Sequence, residues 1–349
     1  MDFDIKKSFP SQPVSVIICA KNEARNLSRN LPEILNQDYT DKDGNTLYEV
    51  IVADDDSEDN SFEVLQNLSQ NYPHLRPVKF SKSEERKWPG KKSALHFAKQ
   101  QASHNFLLLT DADTCPRSSF WIKNMMASLN NRDNPAPVVL GYGPYKKQNS
   151  FLNVFIRWET IHTFLQFASA ALDGHPYMGV GRNMLHRRAL IEKPVSANYA
   201  NCSSGDDDLW LQNVAPNQKL EVVASPEAHM LSHAPPTFQK WIFQKQRHNS
   251  TGKYYLTSIK INLGLYALTH ALSWLAWVFI WLTSSSFFYV ILGLLLVRHV
   301  LFGVLVKKWS LHLRENFSGL QILLCDIMWM VYNLLLSPYI FFKNKNQWN

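Results

Sequence analysis

Asp111 and Asp113 stand one residue apart, directly behind the apolar run Asn105-Phe106-Leu107-Leu108-Leu109-Thr110. A short run of that kind predicts a buried strand. Carboxylates at the C-terminal end of such a strand occupy the edge at which open α/β sheets bind ligands. Two carboxylates there are costly to bury without a partner. A hard divalent cation, Mg²⁺ or Mn²⁺, that also takes phosphate oxygens answers that need. Taken alone, the same residues also fit two surface aspartates in a strand-to-helix turn, with Pro116 starting the helix.

Other acidic and basic groups recur in an ordered series. Asp54-Asp55-Asp56-Ser57-Glu58-Asp59 follows a second strand-like run, Tyr48 to Ala53, and Gly205-Asp206-Asp207-Asp208-Leu209 lies further along. Gly90-Lys91-Lys92-Ser93-Ala94-Leu95 falls between them, and Gln244-Lys245-Gln246-Arg247-His248 precedes the hydrophobic C-terminus. Over about residues 13 to 255 this set resembles glycosyltransferase family 2, the membrane-associated inverting enzymes of GT-A fold. Asp54, Asp55, Ser57 and Asp59 match the form DDGSxD, with Asp56 in place of the glycine. Asp111 and Asp113 match the DxD metal motif, and Gly90 to Leu95 resembles GKxxAL. Gln244 and Arg247 match QxxRW, with His248 where the tryptophan belongs.

The resemblance implies transfer of a hexosyl or N-acetylhexosaminyl group from a nucleotide-sugar donor, most often UDP-linked. Asn22, Glu23, Asp54, Asp55, Lys91, Asp111, Gln244 and Arg247 would then face the donor, and Asp113 with Asp111 would hold a divalent cation. The base would come from the third cluster. Aligning Leu209 with the leucine of EDxDL makes it Asp206, with Gly205 in the glutamate's place, whereas a GDD alignment makes it Asp207; Asp206 is preferred. Adjacent aspartates repel, so at least one carboxyl of this cluster should titrate high, a property suited to general bases. A helix N-terminus would attract the same residues for structural reasons. Tyr177 to His186, with Gly179, Gly181, Arg182 and Asn183, resembles the acceptor-side segment, though its glycines would also suit a hairpin.

Three other readings use parts of the pattern. Asp111-Ala112-Asp113-Thr114 also satisfies the DxDxT nucleophile motif of haloacid-dehalogenase-like phosphatases, which leaves Asp54 to Asp59 and Gln244 to Arg247 unexplained. An inactive nucleotide-sugar-binding scaffold would not need the metal and base positions. A processive polysaccharide synthase of the same family would need more spans than this chain offers, which favours a single transfer to a lipid or lipid-linked acceptor.

The elements that must position these residues follow from periodicity. Val14 to Ala20 predicts a first buried strand ending at Lys21-Asn22-Glu23, and Leu27, Leu31, Ile34 and Leu35 mark a helix. Strands at Tyr48 to Ala53, Arg76 to Phe80 and Asn105 to Thr110 alternate with helices marked by Phe62, Leu65 and Leu68 and by Ala94 to Gln101. This βαβα order predicts an α/β fold with a mostly parallel sheet, its strand ends gathering Glu23, Asp55 and Asp111 at one edge. From 149 to 171, Phe151, Phe155, Trp158, Ile161 and Leu165 share one helical face and Asn153, Arg157, Thr160, Thr163 and Gln166 another. Such a helix would pack on the core or lie in a membrane interface.

The chain has 349 residues and a formal net charge of +7. Residues 263–282, 287–306 and 320–342 are apolar enough and long enough to cross about 30 Å of hydrocarbon. The expected division is a cytoplasmic GT-A-like domain over 1–255, with amphipathic interface segments near 149–171 and 237–255, and a membrane region over 256–349 with two to three spans. The polar start, Met1 to Gln12, shows no apolar leader. Arg247, Lys253, Lys260, Lys307, Lys308 and Arg314 flank the spans as cytoplasmic charges would, which places the chain in the inner (cytoplasmic) membrane as a multi-pass protein. Arg298 and Asp326 should face each other or a polar cavity, because an isolated intramembrane charge is expensive. The four cysteines lack metal or disulfide spacing. The basic excess suits anionic lipid better than nucleic acid, since no basic-aromatic stripe is present.

Overall fold

The computed structural model describes residues 12–81, 86–129, 136–282 and 288–338. The described residues fall into two compact units: those of 12–146 and 166–233 form one, and those of 147–165 and 234–338 the other. The chain passes between them inside a helix.

The first unit begins with β1 (Val14–Ala20), α1 (Ala24–Leu35), β2 (Tyr48–Asp54), α2 (Ser61–Ser69), β3 (Leu75–Lys79), α3 (Lys92–Gln100) and β4 (Phe106–Asp111). It continues through β5 (Cys115–Pro116), α4 (Trp121–Ala127) and β6 (Val138–Gly141) to α5 (Phe151–Leu172), the connecting helix. Then follow β7 (Met184–Arg187), α6 (Ala197–Asn201), α7 (Asp208–Val214), β8 (Glu221–Val223) and β9 (Met230–Leu231). The main sheet has the order β3-β2-β1-β4-β7-β6-β8, with β5 and β9 paired separately. Strands β3, β2, β1 and β4 run parallel, β7 is antiparallel to both its neighbours, and β6 pairs β8 in parallel. The mostly parallel α/β expectation is met. Strands β1 and β2 are buried nearly throughout, as the uninterrupted Val and Ile runs require when helices cover both faces.

Register decides where the carboxylates end up. Ala20 lies opposite Asp54, and Cys19 lies opposite Asp111. The last residues of three adjacent parallel strands therefore reach the same edge, and the loops that follow them form the site.

The second unit contains the early part of α5, α8 (Phe238–Gly252), α9 (Thr257–Leu282), α10 (Phe288–His312) and α11 (Gly319–Val331), the last continuing through a wider turn over Tyr332–Leu336. Among the described residues, three stretches are long and apolar enough to cross a membrane: Thr257–Ile280, Phe288–His312 and Gly319–Leu336. The first begins earlier than the expected 263, and the second runs past 306. Residues 339–342 of the third expected span lie outside the described residues, as does residue 287 of the second. Phe279, Leu294 and Leu335 on these helices are exposed, as lipid-facing side chains would be. In α5, Phe155, Trp158 and Ile161 of the apolar face and Asn153 and Arg157 of the other are buried, while Phe151 is exposed and Thr160, Thr163, Leu165 and Gln166 are half-buried. Arg157 pairs with Glu315, and Glu159 accepts from Lys245 Nζ at 2.5 Å.

Arg298 and Asp326 are linked through an intermediary. Arg298 donates to His270 Nδ1 and to His299 Nε2, each at 2.9 Å. The opposite nitrogen of His270 faces Asp326 Oδ1 at 3.4 Å, and Trp274 Nε1 donates to Asp326 Oδ2 at 2.9 Å. Because the guanidinium can only donate, both imidazoles accept from it as neutral tautomers.

Candidate active site

Within the first unit, the loops after β1 and β2 are stitched together. Asn22 donates its backbone N–H to Ser57 Oγ at 2.9 Å and accepts from the Glu58 N–H at 2.8 Å. Glu23 N–H reaches Ser61 Oγ, and Ala24 N–H reaches Asp59 Oδ2. Ser57 and Asp59, matched to the sequence signature, therefore hold loop to loop. Asp56 has φ +54, a left-handed backbone that explains why a glycine is expected there and why an aspartate is tolerated.

Asp54 and Asp55 are both buried. Asp54 Oδ1 has no hydrogen-bond partner among the described residues. Asp55 is paired with Arg86, whose guanidinium lies 5.1 Å from the Phe80 ring centroid. Arg86 carries no motif, and nothing in the sequence singled it out.

The centre of the site is Lys91. Its ammonium lies 3.0 Å from Asp111 Oδ1 and 2.8 Å from Asp206 Oδ2. Burial alone would lower the Lys91 pKa; Asp111 and Asp206 outweigh it and hold the ammonium charged well above the usual lysine range. Burial likewise pushes Asp206 up, but Lys91 prevails, and the carboxyl titrates below its ordinary value. Asp113 goes the other way: desolvation in the cleft and then the Asp111 charge raise it. Its carboxylate makes no ion pair among the described residues. Glu23 is raised too, by burial first and then by Asp113, Asp111 and Asp59, so it borders the same charge cluster.

Asp207 is employed differently. Its Oδ1 accepts from the Asp208 N–H at 2.8 Å and its Oδ2 from the Gly181 N–H at 3.1 Å. It caps α7 and ties down the Tyr177 to His186 segment. Burial, then Asp208 and Asp206, push its carboxyl up to about 7. Gly205 has φ +89, and a Cβ built on it would lie 2.7 Å from the Leu209 side chain, so the turn into this cluster favours glycine. In the facing segment, Asn183 is buried and donates to the carbonyls of Tyr142 and Ala228, while Arg182 donates to the Gly143 carbonyl.

The structure thus brings Lys91, Asp111 and Asp206 into contact, with Asp113 and Glu23 in the same field. Asp54 ends β2, and Asn22 and Asp55 lie in the loops that follow β1 and β2. Gln244 and Arg247 belong to α8 of the second unit, where His248, standing at the tryptophan position, is exposed.

The donor set fits a hard cation that arrives with its own oxygens. Among the described residues no three His, Cys, Asp or Glu side chains converge on one point. Two carboxylates, Asp111 and Asp113, are what Mg²⁺-type sites completed by substrate phosphates require.

A glycosyl transferase family 2 model matches residues 15–193, just over half of the chain. The chain belongs to this family and is a glycosyltransferase with a nucleotide-sugar-using fold. That membership sets aside the phosphatase reading of Asp111 to Thr114. Among solved structures, the mannosyltransferase PcManGT from Pyrobaculum calidifontis, in complex with GDP-Man and Mn²⁺, aligns at TM-score 0.53 and 18% identity, covering 94% of this chain and 92% of that one. This likeness shows the GT-A fold. TarS 1-349 from S. aureus, in complex with UDP-GlcNAc, aligns at TM-score 0.45 and 16% identity, over 68% of this chain and 66% of that one. Glucosyl-3-phosphoglycerate synthase from Mycobacterium tuberculosis, in complex with phosphoglyceric acid, aligns at TM-score 0.44 and 13% identity, over 68% and 78%. No curated protein sequence matches the chain.

Proposed function

We propose that the chain is an inverting glycosyltransferase that moves a hexosyl or N-acetylhexosaminyl group from a nucleotide-sugar donor to a lipid or lipid-linked acceptor at the cytoplasmic face of the inner membrane. The observation that carries this reading is the single ammonium of Lys91 held between Asp111 and Asp206. It sets a carboxylate of the metal motif and a candidate base around one point, which a one-step displacement requires.

In this reading, Asp54, whose buried Oδ1 has no hydrogen-bond partner among the described residues, accepts from the nucleobase, with Asn22, Glu23 and Asp55 beside it. Asp111 and Asp113 hold Mg²⁺ or Mn²⁺, which when bound supplies Lewis-acid neutralisation of the leaving diphosphate. Lys91 adds fixed positive charge to the diphosphate, and the family resemblance alone assigns Gln244 and Arg247 to the donor. Asp206 takes the proton of the acceptor hydroxyl as its oxygen bonds to the sugar C1, and the bond from C1 to the diphosphate oxygen breaks on the opposite face. Asp206 suits this role better than Asp207, because both Asp207 oxygens are occupied by backbone N–H groups.

The acceptor assignment rests on the three apolar helices and on the basic residues Lys253, Lys260, Lys307, Lys308 and Arg314 beside them. A UDP-linked sugar is the family's commonest donor. GDP-mannose, bound by the Pyrobaculum mannosyltransferase, belongs in the same assay. Membranes carrying the full chain are incubated with a panel of labelled sugar nucleotides and Mn²⁺, and the lipids are extracted and analysed. One donor should label one lipid species with inverted anomeric configuration. Label appearing only in aqueous products would overturn the lipid acceptor.

A further inference from the structure

The turn that carries Lys91 is anchored independently of its charge partners. Gly90 has φ +69, and a Cβ built on it would lie 2.3 Å from the Ser203 carbonyl oxygen. The backbone of the 90–92 turn is therefore pressed against the loop that leads to Asp206, and only glycine fits. Lys92, fully buried, donates to the carbonyls of Tyr199 and Cys202 and lies 4.3 Å over the Tyr199 ring. Trp88 packs edge-on against the same ring at 5.6 Å. With both flanks pinned, the Lys91 ammonium is placed where it satisfies Asp111 and Asp206 at once. Asp113 has no such partner among the described residues. One of the two cation ligands is thus already engaged, and the same ammonium also holds the base.

We propose that Lys91 is a positioning residue that competes with the divalent cation for Asp111 and keeps Asp206 clasped until cation and donor diphosphate load together. The inference rests on the reading above of Asp111 and Asp113 as cation ligands and Asp206 as base. The cation and the ammonium are like charges seeking the same carboxylate, so they cannot share it at contact distance without repulsion. The diphosphate gives Lys91 new oxygens, and its departure from Asp111 and Asp206 leaves the first free for the cation and the second for the acceptor hydroxyl. Donor loading therefore precedes base release, and an acceptor meets a competent base only in the loaded site. Linkage makes the effect reciprocal: whatever Lys91 costs the cation alone appears as cooperativity between cation and nucleotide.

The test is binding, without turnover. Detergent-solubilised full chain is titrated with Mn²⁺ alone, and with Mn²⁺ in the presence of UDP, following free Mn²⁺ by electron paramagnetic resonance. In Lys91→Met, Mn²⁺ alone should bind about tenfold tighter than in the wild type, and the enhancement by UDP should shrink by about the same factor, within the usual range of site-to-site coupling. Lys91→Gln, which keeps a polar head without the charge, should behave in the same way and serves if the Met variant does not fold. Arg182→Gln removes another cation whose field reaches Asp113 but leaves the clasp in place, so it should shift Mn²⁺ binding far less. Unchanged Mn²⁺ affinity in both Lys91 variants, or an equal gain in Arg182→Gln, overturns the clasp while leaving the cation site standing. A wild-type chain that binds no Mn²⁺ even with UDP overturns the cation reading and the clasp together.

Discussion

In the first unit Lys91 meets Asp111 and Asp206 directly, whereas in the second Arg298 meets two imidazoles and reaches Asp326 only through His270. The contrast follows from the medium. Lys91 and Asp111 keep 20% and 38% of their side-chain surface exposed while Asp206 keeps 12%, so the Asp111 side of the clasp is the one open to water and to a polar ligand. A substrate that brings a cation and phosphate oxygens can displace the ammonium there. The Arg298 cluster draws on three apolar helices, where His270 and Asp326 are buried and a neutral His270 accepts from Arg298 of one helix and turns its other nitrogen to the Asp326 carbonyl of the next. One cluster is built to open and the other to stay closed.

The largest effect that would break this comparison is at the cation site. Asp113→Asn should abolish metal-dependent turnover, because the site loses one of its two hard ligands, with the fold kept by circular dichroism. Activity that survives both this change and EDTA would remove the cation from the site.

Next comes the pair of neighbours in the third cluster. Asp206→Asn should depress kcat by about two to four orders of magnitude, typical of losing a general base, while UDP binding is kept. Asp207→Ala should act chiefly on stability, lowering it by about 0.5–2 kcal/mol through loss of the α7 cap, read as a shift in Tm. The reverse pattern would exchange their roles.

The pH profile sharpens the same distinction. A base works only when deprotonated, so activity persists above its pKa and is lost as pH falls through it. Asp206 is depressed by Lys91 in the donor-free site, which places the acid limb of kcat/KM for the donor, a property of the free enzyme, below the usual carboxylate range. Asp207, raised to about 7, would instead give a limb near neutrality. A half-maximal pH near 7 that disappears in Asp207→Asn would favour Asp207.

The smallest effect is expected in the second unit. Arg298→Ala should cost about 0.6–1.7 kcal/mol, the range of interhelical hydrogen bonds in membranes, seen as a lower Tm in detergent with UDP binding unchanged. Unaltered stability with selective loss of transfer to lipid would make this cluster an acceptor site and end the contrast between the two regions.

Much of the first unit was legible from local signals. The runs Val14 to Ala20, Tyr48 to Ala53 and Asn105 to Thr110 declare buried strands, and the acidic residues behind the second and third mark the ligand edge, because strand ends and their loops are contiguous in sequence. The replacement of a signature glycine by Asp56 looked like a departure; its positive φ shows that the backbone demand was met by a residue type that tolerates it. The apolar helices were equally plain, since length and composition are enough to recognise them.

What the sequence determined by itself was therefore the order of elements, the family and the chemical types at the sheet edge. Which side chains hold one another was decided only by the tertiary structure. Lys91 lies between Asp111 and Asp206, Asp55 faces Arg86, and Asp207 is taken up by the amides of Gly181 and Asp208, each pairing but the last joining segments far apart in sequence. The grouping of the first part of α5 with the C-terminal helices arises in the same way, because Arg157 and Glu159 find their partners in Glu315 and Lys245. Composition and periodicity report what a residue is and which way its own element turns. The partner of a charge is set by the register and packing of other elements, and that information exists only once the chain has folded.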